Sequence, residues 1–213
     1  MRLLPALTLL AALAGCDRAP ERAVDVPATP ATPATPVPSS APAQPAPAAP
    51  ATPAPTAEPG LAGFGGYGDV RLGTASVDME QAWGGALEPL GPPPAPADAC
   101  HYLRPKRAAR SAEDPAFMLE GGRFVRYDIH GTRETAPGGG KVGMRRADIA
   151  RLYADQVEAR PHHYTDGEYL RIRDPAGGAG VLVFETDGRG EDARVVAWRV
   201  GLPPQVDYVE GCS

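Results

Sequence analysis

Three cysteines, two tryptophans and 6% aromatic residues in 213 positions leave little material for several common kinds of site. No two cysteines stand in a C-x-x-C arrangement, so neither a zinc site nor a thioredoxin-type redox pair is suggested. No G-x-S-x-G elbow is present to carry a nucleophilic serine. Excess positive charge is missing too: 21 basic residues face 26 acidic ones, for a net charge of −5. The first 60 residues hold three of the basic and four of the acidic residues, so the rest keeps that mild acidic balance. That balance, with no basic block, argues against nucleic acid or an anionic lipid surface as the partner. A helix needs about 20 apolar residues to span a bilayer, and the one strongly apolar run, Leu3 to Leu13, stops well short.

That run follows Met1-Arg2 and closes on Leu13-Ala14-Gly15-Cys16. A basic start, a short apolar stretch and small residues at its end describe an export signal. The ending resembles the lipobox of bacterial lipoproteins. The resemblance implies removal of residues 1–15 and lipidation of Cys16, with the membrane as a partner through the acyl chains. The alternative is an ordinary signal peptide with a chance cysteine. On the lipoprotein reading the protein is anchored in the cell envelope and faces the periplasm. Asp17 resembles the inner-membrane retention signal of enteric bacteria, and sorting rules that differ among Gram-negative groups leave the choice of membrane open.

From residue 16 to about 60 the chain is Pro, Ala and Thr with little else, and half of the 26 prolines lie between Pro20 and Pro59. Such a segment cannot bury enough apolar surface to offset the entropy of ordering. An extended polyproline chain at about 3.1 Å per residue would reach on the order of 100 Å, which makes it a tether. Residues 61–213 are left as one globular domain. With Cys16 assigned to lipid, Cys100 and Cys212 remain, and an even count in an oxidising compartment reads as one disulfide. Two free thiols are the alternative.

The domain contains itself twice. Val70–Trp83 aligns with Gly140–Tyr153 so that Gly73 meets Gly143, Asp78 meets Asp148, Met79 meets Ile149 and Trp83 meets Tyr153. Ile149, Leu152, Tyr153 and Val157 follow helical spacing, as do Met79, Ala82 and Trp83. Ser76 is placed to cap the first helix and Gly84-Gly85 to end it. Strand-like runs follow each helix: CHYLRP and a hairpin turning at Gly121-Gly122 in the first copy, EYLRIRD, GVLVFETD and RVVAWRVG in the second. The expected fold is α+β, two tandem repeats (about 68–130 and 138–213), each a helix followed by antiparallel strands, with the helices on one face of a sheet.

Leu72-Gly73-Thr74, Val142-Gly143-Met144 and the helices behind them resemble the architecture of the beta-lactamase inhibitor proteins and of the small lipoprotein of the outer-membrane assembly machine. Over nearly all of 61–213 the chain is similar to a family of Gram-negative exported proteins, some of which carry a lectin label. CHYLRP, FMLEGGRFVRYD, GVLVFETD and PPQVDYVEGC carry that likeness. The resemblances imply a binding protein without catalytic activity. Its ligand would be a glycan or, as the alternative, another envelope protein met as an inhibitor or assembly accessory.

Candidate chemistry is sparse. Cys100 beside His101 is better read as a disulfide staple than as a cysteine–histidine pair, since adjacent strand residues point to opposite faces. Adjacent His162 and His163 diverge on a strand and read as a solvent-facing loop; no metal site and no cofactor is expected. Asp166 and Glu168 reflect acidic composition rather than a glycosidase pair. Gly138–Lys141 lacks phosphate-loop spacing and is expected to join the repeats. For ligand binding the candidates are Trp198, Tyr164 and Tyr208. Alternation on the last strand sets Val196, Trp198 and Val200 on one face, Ala197 and Arg199 on the other.

Overall fold

A computed structural model describes residues 60–107 and 113–212 of the chain. The signal, Cys16, Asp17 and nearly all of the tether lie outside the described residues. Glycine-rich sequence at the start makes a small antiparallel sheet of three two-residue strands, β1 (Ala62–Gly63), β2 (Gly66–Tyr67) and β3 (Val70–Arg71). A 3-10 turn, Ser76–Asp78, runs into helix α1 (Met79–Trp83). Four strands follow: β4 (Leu87–Pro89), β5 (His101–Pro105), β6 (Ala116–Glu120) and β7 (Arg123–Ile129). The second copy supplies α2 (Arg146–Tyr153), then β8 (Glu158–Pro161), β9 (Glu168–Arg173), β10 (Val181–Thr186) and β11 (Val195–Gly201).

The eight long strands form one antiparallel sheet in the order β4-β5-β6-β7-β11-β10-β9-β8. Each repeat is therefore a helix and a four-stranded meander, and the halves meet through β7 and β11. Tyr127 pairs with Val200, Asp128 with Arg199 and Ile129 with Trp198. A shift of 71 residues turns Tyr127 into Trp198 and Ile129 into Val200, so the register is that of an approximate two-fold axis through the Asp128–Arg199 pair.

Fine details repeat as well. Gly73 and Gly143 both have positive φ, 92° and 87°, a conformation that a Cβ disfavours. Each glycine N–H donates to the last strand of its repeat, to the Phe124 and Val195 carbonyls at 2.7 and 2.8 Å. The guanidinium of Arg123 returns a bond to the Gly73 carbonyl, and that of Arg194 to Gly143, at 3.0 and 3.1 Å. Both β7 and β11 carry a bulge, since Met118 faces Arg126 while Leu119 faces Phe124, and Glu185 faces Ala197 while Thr186 faces Val195. The extra residues are Val125 and Val196. Bulges insert one unpaired residue and reset the alternation of faces. Val196 is accordingly 47% exposed, a correction to its expected place beside Trp198 and Val200.

The helices and the small sheet pack on one face of the large sheet. Met79, Ile149 and Tyr153 meet Phe117, Phe124, Tyr127, Leu170, Phe184, Trp198 and Val200 in a single core. Aromatic edges meet there, as in Phe117–Phe124 at 5.5 Å and Tyr127–Trp198 at 6.0 Å. Tyr153 ties the linker between repeats: its hydroxyl donates to the Pro137 carbonyl (2.6 Å) and accepts from the Gly140 N–H (3.1 Å). Gly121-Gly122 turns the β6–β7 hairpin as expected, with φ of 58° and 69°. Ser76 does not cap α1: it opens the 3-10 turn, its N–H bonded to the Gly122 carbonyl at 2.8 Å, without a side-chain cap.

Candidate functional site

Alternation places the polar residues of the strands on the face away from the helices, and that face carries the groove. Arg126 and Asp128 stand on it from β7, Arg199 from β11, Glu185 from β10, Tyr169 and Arg171 from β9, and Tyr102 from β5. Arg126, Asp128, Arg171 and Arg199 are all buried. Buried charges are costly unless paired and hydrogen-bonded, and these are, apart from Arg171 Nη1, which lies 3.7 Å from a Glu158 carboxylate oxygen without a hydrogen bond. Arg126 holds Asp128 through Nε at 2.9 and 3.0 Å and through Nη2 at 2.5 Å. Desolvation works against the Arg126 charge, but Asp128 outweighs it and raises the arginine's pKa. Arg199 pairs with Glu185, and Arg171 holds Asp207 at 3.1 Å.

The same arginines fasten the C-terminal segment over this face. A 3-10 turn, Gln205–Asp207, buries Val206 against Tyr169, Val181 and Val183. Arg126 donates to the carbonyls of Gln205 (3.1 Å) and Tyr208 (2.7 Å), and Arg199 to that of Val206 (2.6 Å). Cys100 and Cys212 close a disulfide, with Cα atoms 5.2 Å apart, that pins the end of the segment beside the start of β5. The expected staple is present, and it holds a strap across the sheet.

Two adjoining hollows flank this strap and share Val209, Glu210 and Gly211. The first, of about 350 Å³, is lined by Leu90, Tyr102, Ala116, Asp128 and His130 on one side and by Glu185 and Arg199 on the other. The second, of about 450 Å³, takes in His163, Tyr164, Tyr208, Glu120 and the disulfide. Burial first, and then the charge of Asp128, push the Tyr102 phenol pKa upward, so it stays protonated and able to donate.

Of the three aromatic candidates, Tyr164 and Tyr208 meet in the second hollow. Tyr164 is 61% exposed and its hydroxyl binds Glu210. Trp198 is not with them: its side chain is in the helix-side core, 1% exposed, and only the margin of the first hollow reaches it. Strand alternation fixes that outcome, since Trp198 and Val200 share the helix-side face while Arg199 takes the other. His162 also departs from expectation, because it does not face solvent. Its ring stacks on Tyr169 at 4.5 Å, and Nδ1 accepts from the N–H groups of Tyr164 and Thr165 at 3.1 and 3.2 Å. His163 turns the other way, edge-on to Tyr164. Glu168 is spent on Arg146 at 2.5 Å. Among the described residues no group of three or more His, Cys, Asp or Glu is placed to hold a metal ion, and no helix is long and apolar enough to cross a membrane.

The arginine-fastened strap was missed in the sequence. Its signal was the odd pattern of Arg126, Arg171 and Arg199 on the helix-free face of strands otherwise rich in apolar residues.

Comparison with known proteins identifies no family for the chain. No family model matches the chain, and no curated protein does. Among solved structures, the YfeY protein of Escherichia coli matches with a TM-score of 0.42 and 13% identity, over 67% of this chain and 97% of its own. An extracellular protein containing an SCP domain from Bacillus anthracis matches with a TM-score of 0.40 and 13% identity, over 62% of this chain and 44% of its own.

Proposed function

We propose that the chain is a lipid-anchored protein of the cell envelope that binds another envelope protein on the helix-free face of its sheet and leaves it chemically unchanged. The observation that carries this reading is the pair of adjoining hollows along the strap, rimmed by exposed Leu90, Val209 and Tyr164. Exposed apolar side chains gathered at the rim of a polar concavity suit a macromolecular ligand. Export is supported by the Cys100–Cys212 disulfide, since such bonds persist in oxidising compartments. The anchor rests on the resemblance of residues 13–16 to a lipobox.

Binding without catalysis is supported by the state of the groups at the floor. The first hollow gathers His130 with Asp128 and Glu185, a combination that could serve acid–base chemistry. Both carboxylates, however, are held by guanidiniums, Asp128 by Arg126 and Glu185 by Arg199. Their oxygens are engaged in ion pairs within the sheet face rather than presented to a ligand. The glycan reading keeps one specific support, the exposed ring of Tyr164 beside Tyr208.

The test is a photo-crosslinking residue placed at Val209 in living cells, with Val77 on the opposite side as the control. A product formed from Val209 alone and collapsed by protease is the expected result. A product collapsed by cell-wall hydrolases would establish the glycan reading instead. Equal labelling from both positions would remove the groove from consideration.

A further inference from the structure

A third hollow, of about 210 Å³, opens on the same face beside the strap and shares Val209 with the first two. Arg160 from β8, Tyr169 and Arg171 from β9, and Arg199 from β11 line it, with Asp207 and Val209 of the strap. Most of its charge is spent within the molecule. Arg199 gives Nε to the Val206 carbonyl and Nη1 to Glu185. Arg160 holds Glu158 through Nε and Nη2 at 2.8 and 2.7 Å. Arg171 holds Asp207 through Nε and Nη2 at 3.1 and 3.4 Å. Two donors are left over. Among the described residues, three buried side-chain nitrogen or oxygen atoms meet no protein partner: Arg171 Nη1, the Tyr169 hydroxyl and Trp198 Nε1. Trp198 belongs to the helix-side core, whereas Tyr169 and Arg171 both line this hollow. As alternate residues of one strand they leave the sheet on the same face. Buried polar groups are hydrogen-bonded as a rule, because a bond left unmade costs the full desolvation of the group.

We propose that this hollow receives a carboxylate of the bound polypeptide, from an acidic side chain or a chain terminus, one oxygen accepting from the Tyr169 hydroxyl and the other from Arg171 Nη1. The proposal rests on the helix-free face being the binding face and names what the partner presents to it. Both donors are in place before a ligand arrives. The Tyr169 ring stacks on His162 at 4.5 Å and carries the Arg199 guanidinium 5.3 Å from its centroid. Arg171 is fixed by its two bonds to Asp207. Groups held this way lose little freedom on binding. Burial first, and then the charge of Glu185, raise the pKa of the Tyr169 phenol, so it keeps a proton to donate. The two atoms lie beneath the surface, and the Arg160 side chain, 46% exposed, is long enough to turn aside for a ligand. A carboxylate suits the pair better than a phosphate. It brings two oxygens to two donors, whereas phosphate brings further oxygens and a second charge. With Arg160, Arg171 and Arg199 already paired to Glu158, Asp207 and Glu185, no guanidinium is left to balance that second charge.

Chemical-shift titration of the full-length chain tests this with N-acetylglycine, its neutral amide and inorganic phosphate as probes at constant ionic strength. N-acetylglycine should shift the backbone amides of 163–171 saturably, and the amide should not. Tyr169→Phe should weaken that binding about fivefold or more, the worth of one hydrogen bond. The same variant should melt no lower than the parent, because its hydroxyl has no partner to lose. Arg171→Lys keeps the charge but not the second arm of the guanidinium, and should weaken binding by about tenfold. Should Arg171→Lys loosen the strap, Tyr169→Phe decides alone. Equal response to the neutral amide, no response, or tighter binding of phosphate would overturn the proposal. So would a Tyr169→Phe variant that binds as well as the parent, or one that melts lower, since its hydroxyl would then already be bonded. All of these would leave the binding-face reading standing. A Val209 crosslink collapsed by cell-wall hydrolases, or equal crosslinking from Val209 and Val77, would instead remove the reading on which the proposal rests.

Discussion

Tyr153 joins a helix, the inter-repeat linker and the core through one hydroxyl. Burial pushes its ionisation up from 10.0 to about 12. A phenol whose pKa is higher folded than unfolded contributes stability that is fully present below pH 10 and is lost as pH rises toward 12. Denaturant melts between pH 9 and 11.5 should show stability falling, and Tyr153→Phe should make that fall shallower. At pH 7 the same variant should cost about 1–2 kcal/mol, because the Gly140 N–H and the Pro137 carbonyl lose their partner. Arg126 is a stronger case. Truncation to alanine leaves Asp128 buried without its counter-charge and frees two strap carbonyls. The loss should be about 3–5 kcal/mol in urea unfolding. A loss below about 1 kcal/mol would show that the strap is not fastened from beneath.

At the level of elements, the repeated glycine is a controlled experiment within one molecule. A Cβ at Gly73 or Gly143 would meet no atom within 4 Å, so substitution by alanine tests backbone strain alone. Both variants should lose about 1–2 kcal/mol, equally and additively, as read by thermal melts of the single and double variants. Most of these elements were legible in sequence, because helical spacing at Ile149 and Tyr153 and the apolar strand runs are strong periodic signals. The two-residue strands β1–β3 were not, since nothing that short carries a period. Edge strands β4 and β8 escaped for a different reason. Their Leu87-Glu88-Pro89 and Glu158-Ala159-Arg160-Pro161 sequences lack the apolar content of buried strands, and proline suits an edge. The bulges at Val125 and Val196 were equally silent, and Val196 was set beside Trp198 and Val200 for that reason. Of the candidate site, the tyrosines were visible and the strap that brings them together was not.

The whole molecule is closed by a bond between residues 112 apart. Chain-entropy reasoning gives about 4.7 kcal/mol for a loop near this length. Replacing both cysteines by serine should lower stability by about 2–5 kcal/mol, measured by equilibrium unfolding. The strap should nonetheless stay docked at neutral pH, because Arg126, Arg171 and Arg199 hold it independently of the sulfur. Limited proteolysis is the readout, and rapid cleavage within 203–209 in the serine variant would contradict this.

The Asp128–Arg199 pairing on the axis also bears on how the halves could have parted company after a duplication. In a symmetric ancestor assembled from two identical units, whatever residue stood at this position would have faced its own copy. Two copies of the present first half would set aspartate opposite aspartate in a buried site, and two of the second would set arginine opposite arginine. Only the mixed order places opposite charges there. Each half brings its own counter-charge to the axis, Arg126 for Asp128 and Glu185 for Arg199, and the mixed order sets the two pairs side by side with opposite charges facing.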